Sequence, residues 1–361
     1  MVSRDLEVIN NQGVQSNLVE SVYLLESIVQ LLIFDGVVGT TGNWRIHLDA
    51  AIVLFEQIIQ PSGLLFSVLG AMRQRSGLPA NSSGDTFWTA DQAAFRFYSA
   101  ILLFADIIAS TALEQPPKLQ GYHDNLLRDT GPGKASLQLE DFVGCQNEVI
   151  CLVGKIATLD AWKKDMKKRR CLNMTQLIER AAVIERDLTT AITSLRSTPN
   201  FNSHSGFSFS TFQTYLPTTS PLTPSQKFPV NATTRTISLA WAHAARIYVQ
   251  TVLSGWQTAS PEIHSDVSAT LEILTDISRS SSGVISALAW PFCVAGCLAD
   301  QERESVLRDT VSAMGPLGSL GSIKAAMEIM ERVWKRRDHV DGDDLDVVAC
   351  LRSQGFKVLL I

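Results

Sequence analysis

The sequence predicts an all-α protein, and three observations carry that prediction. Apolar residues recur with the 3.6-residue period of a helix face in one segment after another. No segment alternates apolar and polar side chains for long enough to build a sheet. The 361-residue chain is 45% hydrophobic with a formal net charge of −5, too apolar and too weakly charged for disorder. It is also long enough to enclose a large core. These features point to a single large domain of ~10–13 packed helices.

The elements come in this order. Residues 1–15, MVSRDLEVINNQGVQ, read as an N-terminal tail that lacks the apolar stretch of an export signal. The helical domain then spans 16–354, and 355–361 reads as a C-terminal tail. The opening helix, SVYLLESIVQLLIFDGVVG, carries Glu26 and Gln30 in its middle, so no run reaches the ~18 apolar residues of a membrane span. It reads as a core helix, with no membrane contact expected. From Trp44 to Ile59 the apolar residues fall at Trp44, Leu48, Ile52, Phe55 and Ile59, with Asn43 as the candidate N-cap. Thr89-Ala-Asp-Gln92 has capping-box spacing and precedes a face of Phe95, Tyr98, Leu102, Ala105 and Ile108. Further helical patterns cover roughly 139–163, 172–195, 235–255, 262–279, 298–313 and 320–337. Two segments interrupt them. Residues 113–136 are rich in Pro and Gly and read as a loop. Residues 197–234, with their Ser/Thr/Pro/Asn content, read as a flexible, disordered insertion.

Composition excludes some functions. Mild acidity argues against a broad phosphate-binding surface, so the chain is expected to bind DNA poorly by itself. The six cysteines, Cys145, Cys151, Cys171, Cys293, Cys297 and Cys350, are scattered and read as reduced, buried thiols.

The segment LAWPFCVAGC (288–297) concentrates unusual residues. Cys293 and Cys297 share a helix face, but no second ligand pair elsewhere completes a zinc site, so no metal is assigned. Thiols among Leu, Trp, Phe and Val are ordinary small core residues. Pro291 suits the first turn of a helix or a kink, and Gly296 lets another helix come close. Asp341, Asp343 and Asp344 form a DxDD pattern used by all-α terpene cyclases. Their acidic Gly-containing turn, DHVDGDDLD, reads instead as a solvated loop. GPLGSLG at 315–321 has neither a nucleophile elbow nor a P-loop lysine and reads as a helix–helix connection. His47 and His243 lie in apolar helices, where a hydrogen-bonded structural role is expected. No nucleophile–base pair is legible, no catalytic residue is assigned, and the chain is not expected to be an enzyme.

One charge run stands out: Lys163, Lys164, Lys167, Lys168, Arg169 and Arg170, a candidate nuclear-import signal. The alternative is a solvated helix end whose cations suit the C-terminal dipole.

Several stretches, in order, resemble the C-terminal regulatory domain of fungal-specific transcription factors of the binuclear zinc-cluster class. They are LLIFDGVVGTTGNWRIHLDAA (31–51), FRFYSAILLFADIIAST (95–111), VGCQNEVICLVGKIATLDAWKKD (143–165), LAWAHAARIYVQTVLSG (239–255), LAWPFCVAGCLADQERE (288–304) and ERVWKRRD (331–338). The resemblance implies a nuclear, all-helical domain that regulates metabolic, developmental or secondary-metabolite genes through other transcription regulators or coactivators. Homodimerisation and a small hydrophobic effector are further options within such a family. Two helices meeting at Trp290-Pro291 and around Trp44 could line an apolar pocket, with Trp44, His47, Trp290, Pro291, Cys293 and Gly296 as its candidate positions. The family contacts DNA through a six-cysteine, two-zinc module. No cysteine precedes Cys145, so zinc and DNA contact are expected of a missing module or a partner. The rival readings are the terpene cyclase and a plain helical scaffold.

Overall fold

The structure, a computed structural model, describes residues 13–38, 43–60, 65–75, 88–128, 137–197, 232–256, 260–280, 287–315, 318, 321–336, 350–351 and 358–361. Among these a 3-10 turn, Gln15–Asn17, precedes thirteen α-helices, and there is no strand. They are α1 (Leu18–Val38), α2 (Trp44–Ile59), α3 (Leu65–Arg75), α4 (Ala90–Leu113), α5 (Gln120–Leu127), α6 (Glu140–Val143) and α7 (Asn147–Lys168). The second half contributes α8 (Met174–Ser197), α9 (Ala232–Ser254), α10 (Pro261–Ser280), α11 (Ala289–Cys297), α12 (Gln301–Ala313) and α13 (Gly321–Arg336). The all-α prediction holds.

Helix contacts close a ring. α1 packs on α4, α4 on α7, α7 on α9, α9 on α11, α11 on α13, and α13 returns to α1. α2 flanks α1 and α4, while α8 and α10 flank α9 from opposite neighbours, α7 and α11. A helix surrounded on most sides must be apolar nearly all round. Accordingly α4 buries everything from Ser99 to Leu113 except Ile101, and all nine residues of α11 are buried.

Sequence signals account for several element starts. Thr89 Oγ1 accepts from the Gln92 N–H and the Gln92 side chain accepts from the Thr89 N–H, so the capping box forms as expected. Asp300 caps α12 by accepting from the Arg303 N–H, which places that helix start later than the periodicity alone implies. Asn43 behaves otherwise. Its backbone is already helical and its side chain makes no cap bond, so that expectation is corrected.

The region 113–136 is also corrected, because it contains α5. Asp106, buried in α4, accepts from the Lys118 and Leu119 N–H groups at 3.1 and 2.8 Å and supports the turn into that helix. Asn147 then fastens the chain on the far side of α5. Its amide donates to the Leu127 and Leu137 carbonyls at 2.8 and 2.7 Å and accepts from the Leu139 N–H at 2.7 Å. Gly144 just before it has φ +72°, and a Cβ there would meet Ile237 at 2.8 Å, so this position requires glycine.

The C-terminal tail at 355–361 needs correction for its described part. Leu359 and Leu360 are buried, Ile361 sits against Gly36 of α1, and Ser322 donates to the Ile361 carbonyl at 2.7 Å. At the other end Gln15, assigned to the N-terminal tail, belongs to the 3-10 turn. The insertion expected at 197–234 is corrected at its edges, where Ser197 ends α8 and Ala232 to Thr234 begin α9; its remainder, 198–231, and Asp341, Asp343 and Asp344 lie outside the described residues.

Two segments, Gln15–Gly36 and α4, are long and apolar enough to cross a membrane, contrary to the expectation that none would be. Single charged residues such as Glu26 do not cancel their apolar content. In α4 that content is consumed by packing, since 72% of the apolar window is buried. Glu26 itself faces α4. Burial, and then the charge of Asp91, push its carboxyl up to about 7. A carboxyl raised from 4.5 stabilises the fold fully below pH 4.5 and loses that contribution as pH rises towards 7. Glu26→Gln is expected to flatten the fall of the urea midpoint between about pH 5 and pH 7.5. A parallel fall in the variant would refute the assignment.

Where α11 meets α13 the backbone is crowded. A Cβ on Gly296 would lie 1.9 Å from the Met330 sulfur, as the expected close helix approach requires. Gly296→Ala is expected to cost about 1–3 kcal/mol by overpacking. In a double-mutant cycle, Met330→Ala should recover part of that loss, and strict additivity would contradict the contact.

Candidate functional site

The chemistry-bearing residues fall into three groups, and none forms a catalytic cleft among the described residues. The first surrounds Trp290 of α11. Its ring stacks on Trp241 of α9 with centroids 5.2 Å apart and planes at 4°. Tyr248 of α9 meets Trp290 edge-on at 6.0 Å, and Phe104 of α4 meets Trp241 at 5.7 Å. The Trp290 indole donates to Thr111 Oγ1 of α4 at 3.0 Å, and the Trp241 indole to the Ala287 carbonyl at 3.1 Å. Each buried indole N–H therefore has an acceptor. Beside this cluster, Trp334 of α13 donates to the Gly296 carbonyl at 2.9 Å.

Trp290, Pro291, Cys293 and Gly296 are thus brought together on one short buried helix, with Pro291 in its first turn as expected. Trp44 and His47 sit on α2, whose principal neighbours are α1, α3 and α4. His47 Nδ1 pairs with Asp35 Oδ2 of α1 at 2.8 Å, the structural role expected of it. A surface concavity of about 390 Å³ lies elsewhere, along Thr189, Thr190, Thr193, Ser194 and Ser197 of α8.

The second group is an ionic knot between α8, α9 and α10. His243 Nδ1 lies 2.8 Å from Asp266 Oδ1, and Arg246 Nε donates to Asp266 Oδ2 at 2.6 Å, with a second Arg246 nitrogen on Oδ1. Arg196 approaches His243 Nε2 at 3.2 Å. A guanidinium can only donate, so Nε2 accepts and Nδ1 carries the proton given to Asp266. The carboxylate raises the Arg246 pKa above its ordinary value by direct hydrogen bonding. The expected structural role of His243 is met. Its partners lie 20 or more positions away and leave no local signal.

The third group is the basic run at the end of α7, which the structure divides. Lys163 donates to the Val252 carbonyl of α9, and Lys164 bridges Glu114 and Asp160 at 3.1 and 2.9 Å. Lys167, Lys168, Arg169 and Arg170 are exposed, with Arg169 paired to Asp165 at 3.0 Å.

Cys293, Cys297 and Cys350 are all buried. The influence of Cys293 and Cys350, and then burial, pushes the Cys297 pKa well up, which keeps that thiol protonated. Among the described residues no group of three or more His, Cys, Asp and Glu side chains is arranged to hold a metal ion.

With no catalytic constellation among the described residues, the relatives define the chain. The fungal-specific transcription factor domain matches residues 2–361. The chain belongs to that family. It is 34% identical to the transcription factor dibT of Pestalotiopsis microspora over all of this chain and 57% of that protein. It is 23% identical to the trichothecene biosynthesis transcription regulator TRI10 of Trichoderma arundinaceum, over 89% of this chain and 68% of the relative. The ustiloxin B cluster transcription factor ustR of Aspergillus flavus is also 23% identical, over 86% of this chain and 49% of its own length. The chain therefore spans between about half and two thirds of these relatives. No solved structure matches. The family resemblance read from the sequence is borne out.

Proposed function

We propose that this chain is the regulatory domain of a nuclear transcription factor controlling a secondary-metabolite gene cluster, acting by protein–protein contact and not by catalysis. The observation that carries this reading is the match of the whole chain to a transcription factor at 34% identity. DNA is reached through a zinc-cluster module or a partner that supplies one. A protein partner is favoured by the surface: among the described residues, six of the ten exposed large apolar side chains lie on α1–α3, including Leu31, Phe34, Ile46 and Val53. A hydrophobic effector at Trp290 would have to part rings that are fully buried.

The test is a fusion of this chain to a heterologous DNA-binding module, assayed on a reporter in a fungal host. A several-fold change in reporter output is expected in either direction. An inert fusion that folds and occupies the promoter would overturn the proposal. Nuclear entry is assigned to the exposed Lys167, Lys168, Arg169 and Arg170. Replacing these four by Ala is expected to leave a fluorescent fusion in the cytoplasm with unchanged helicity. Undiminished nuclear accumulation would exclude the run.

A further inference from the structure

α1 and α2 lie side by side and antiparallel. Gln15, just before α1, donates to the Gln57 carbonyl near the end of α2, and at the opposite ends Asp35 pairs with His47. Each helix turns a stripe of uncharged residues to solvent. On α1 the exposed described residues are Tyr23, Gln30, Leu31 and Phe34. On α2 they are Ile46, Ala50, Val53 and Gln57, together with Arg45. Successive helical residues turn by about 100°, so the α1 stripe centres a quarter turn before Asp35, and the α2 stripe a quarter turn before His47. In an antiparallel pair, equal offsets of the same sense point to the same side. The two stripes therefore form one face.

The solvent face of a helix ordinarily carries charge. α8 follows that rule, with exposed Met174, Ile178 and Val183 interrupted by exposed Glu179, Arg180 and Arg186. The α1–α2 face keeps its charges at one flank, where Asp49 pairs with Arg45 at 3.9 Å and with Lys118 at 2.7 Å. Depletion of charge at the centre with polar groups at the rim is the pattern of a protein interface. The apolar content is also unspent, since only 39% of the Gln15–Gly36 window is buried, against 72% in α4.

We propose that this face docks the same face of a second copy, so that two antiparallel helix pairs form a four-helix bundle across a twofold axis. A charged partner would find no charges to match at the centre. A membrane surface would call for a cation-rich border, and the two flanking cations are already paired with Asp49. An identical two-helix layer meets both conditions, because apolar stripes pack on apolar stripes and a self-complementary patch closes by a twofold. The area suffices as well. Tyr23, Phe34 and Phe66, the last on adjoining α3, expose roughly 300 Å² at ~200 Å² per aromatic side chain. With Leu31, Ile46, Val53 and the intervening Ala50, Gln30 and Gln57, the face approaches the ~800 Å² per partner of a stable complex. This pairing deepens the assignment of the surface to protein contact and rests on that reading.

The test is sedimentation of the full chain over roughly 1–100 µM, a range in which a contact of this area associates. The expected particle has twice the 39.6 kDa of one chain. Phe34→Glu and Ile46→Glu, both at exposed positions, should each raise the dimer dissociation constant about tenfold or more with helicity unchanged. Ile178→Glu on α8 should leave it unaltered. In the parent, amide hydrogen exchange of α1 and α2 should slow as concentration rises, which decides the matter even where a variant folds poorly. A parent that stays monomeric throughout would overturn the proposal, as would a dimer indifferent to both glutamates. Flotation of a monomer with phosphatidylcholine vesicles, abolished by Phe34→Glu, would give the face to lipid and overturn it too. Reporter output reads the regulatory role separately, so an active monomer faults the pairing alone and an inert dimer faults the regulatory role alone.

Discussion

Replacing Asp266 by Ala is expected to lower stability by about 3–5 kcal/mol, read as the loss of unfolding free energy in a urea titration. The side chain is 1% exposed and holds His243 and Arg246 at once. Its removal leaves a guanidinium without its carboxylate and a histidine N–H without an acceptor, in a region shielded from water. The damage should spread across α8, α9 and α10, because Arg196 of α8 depends on the ring orientation that Asp266 fixes. Asp266→Asn keeps the shape and one acceptor, so a smaller loss is expected. Joint replacement of His243, Arg246 and Asp266 by apolar residues of similar volume should cost less than Asp266→Ala alone. An Asp266→Ala midpoint equal to the parent's would dismiss the knot as a fastener.

Trp290→Ala is expected to cost a similar ~3–5 kcal/mol, here through cavity formation. The indole is fully buried, stacks on Trp241, meets Tyr248 edge-on and donates to Thr111. Trp290→Phe keeps one ring in contact but loses the N–H donor and part of the indole volume, so a loss smaller than that of the alanine variant is expected. Free indole added to the alanine variant should return part of the stability by filling the void, as small aromatics do in apolar cavities. If Trp290→Ala left stability unchanged and free indole bound the parent protein, the junction would be a pocket and not a core.

Both sites show how far local pattern reaches. α2 is legible because it is partly exposed, so its buried stripe stands out against polar neighbours, and α4 is legible from the capping box at its start. α5 is hidden in a Pro- and Gly-rich stretch because its stability comes from contacts outside itself, chiefly the Asp106 turn and Asn147. α11 is apolar on all sides, so periodicity can mark it as core but cannot orient it. Pro291 and Gly296 are the better signals, one for the first turn and one for the close approach of α13. The knot at Asp266 is illegible for a different reason. It joins residues from separate helices, and a sequence carries no local mark of which distant partners folding brings together. Family likeness supplied what residue chemistry could not, since no catalytic constellation stands out among the described residues.

The parallel indoles of Trp241 and Trp290 give the molecule a built-in optical gauge. Two such chromophores held face to face couple their excited states, producing a paired far-ultraviolet circular dichroism band that vanishes once they separate. Any inhibitor or binding protein that pries α9 from α11 would thus announce itself in an unlabelled sample.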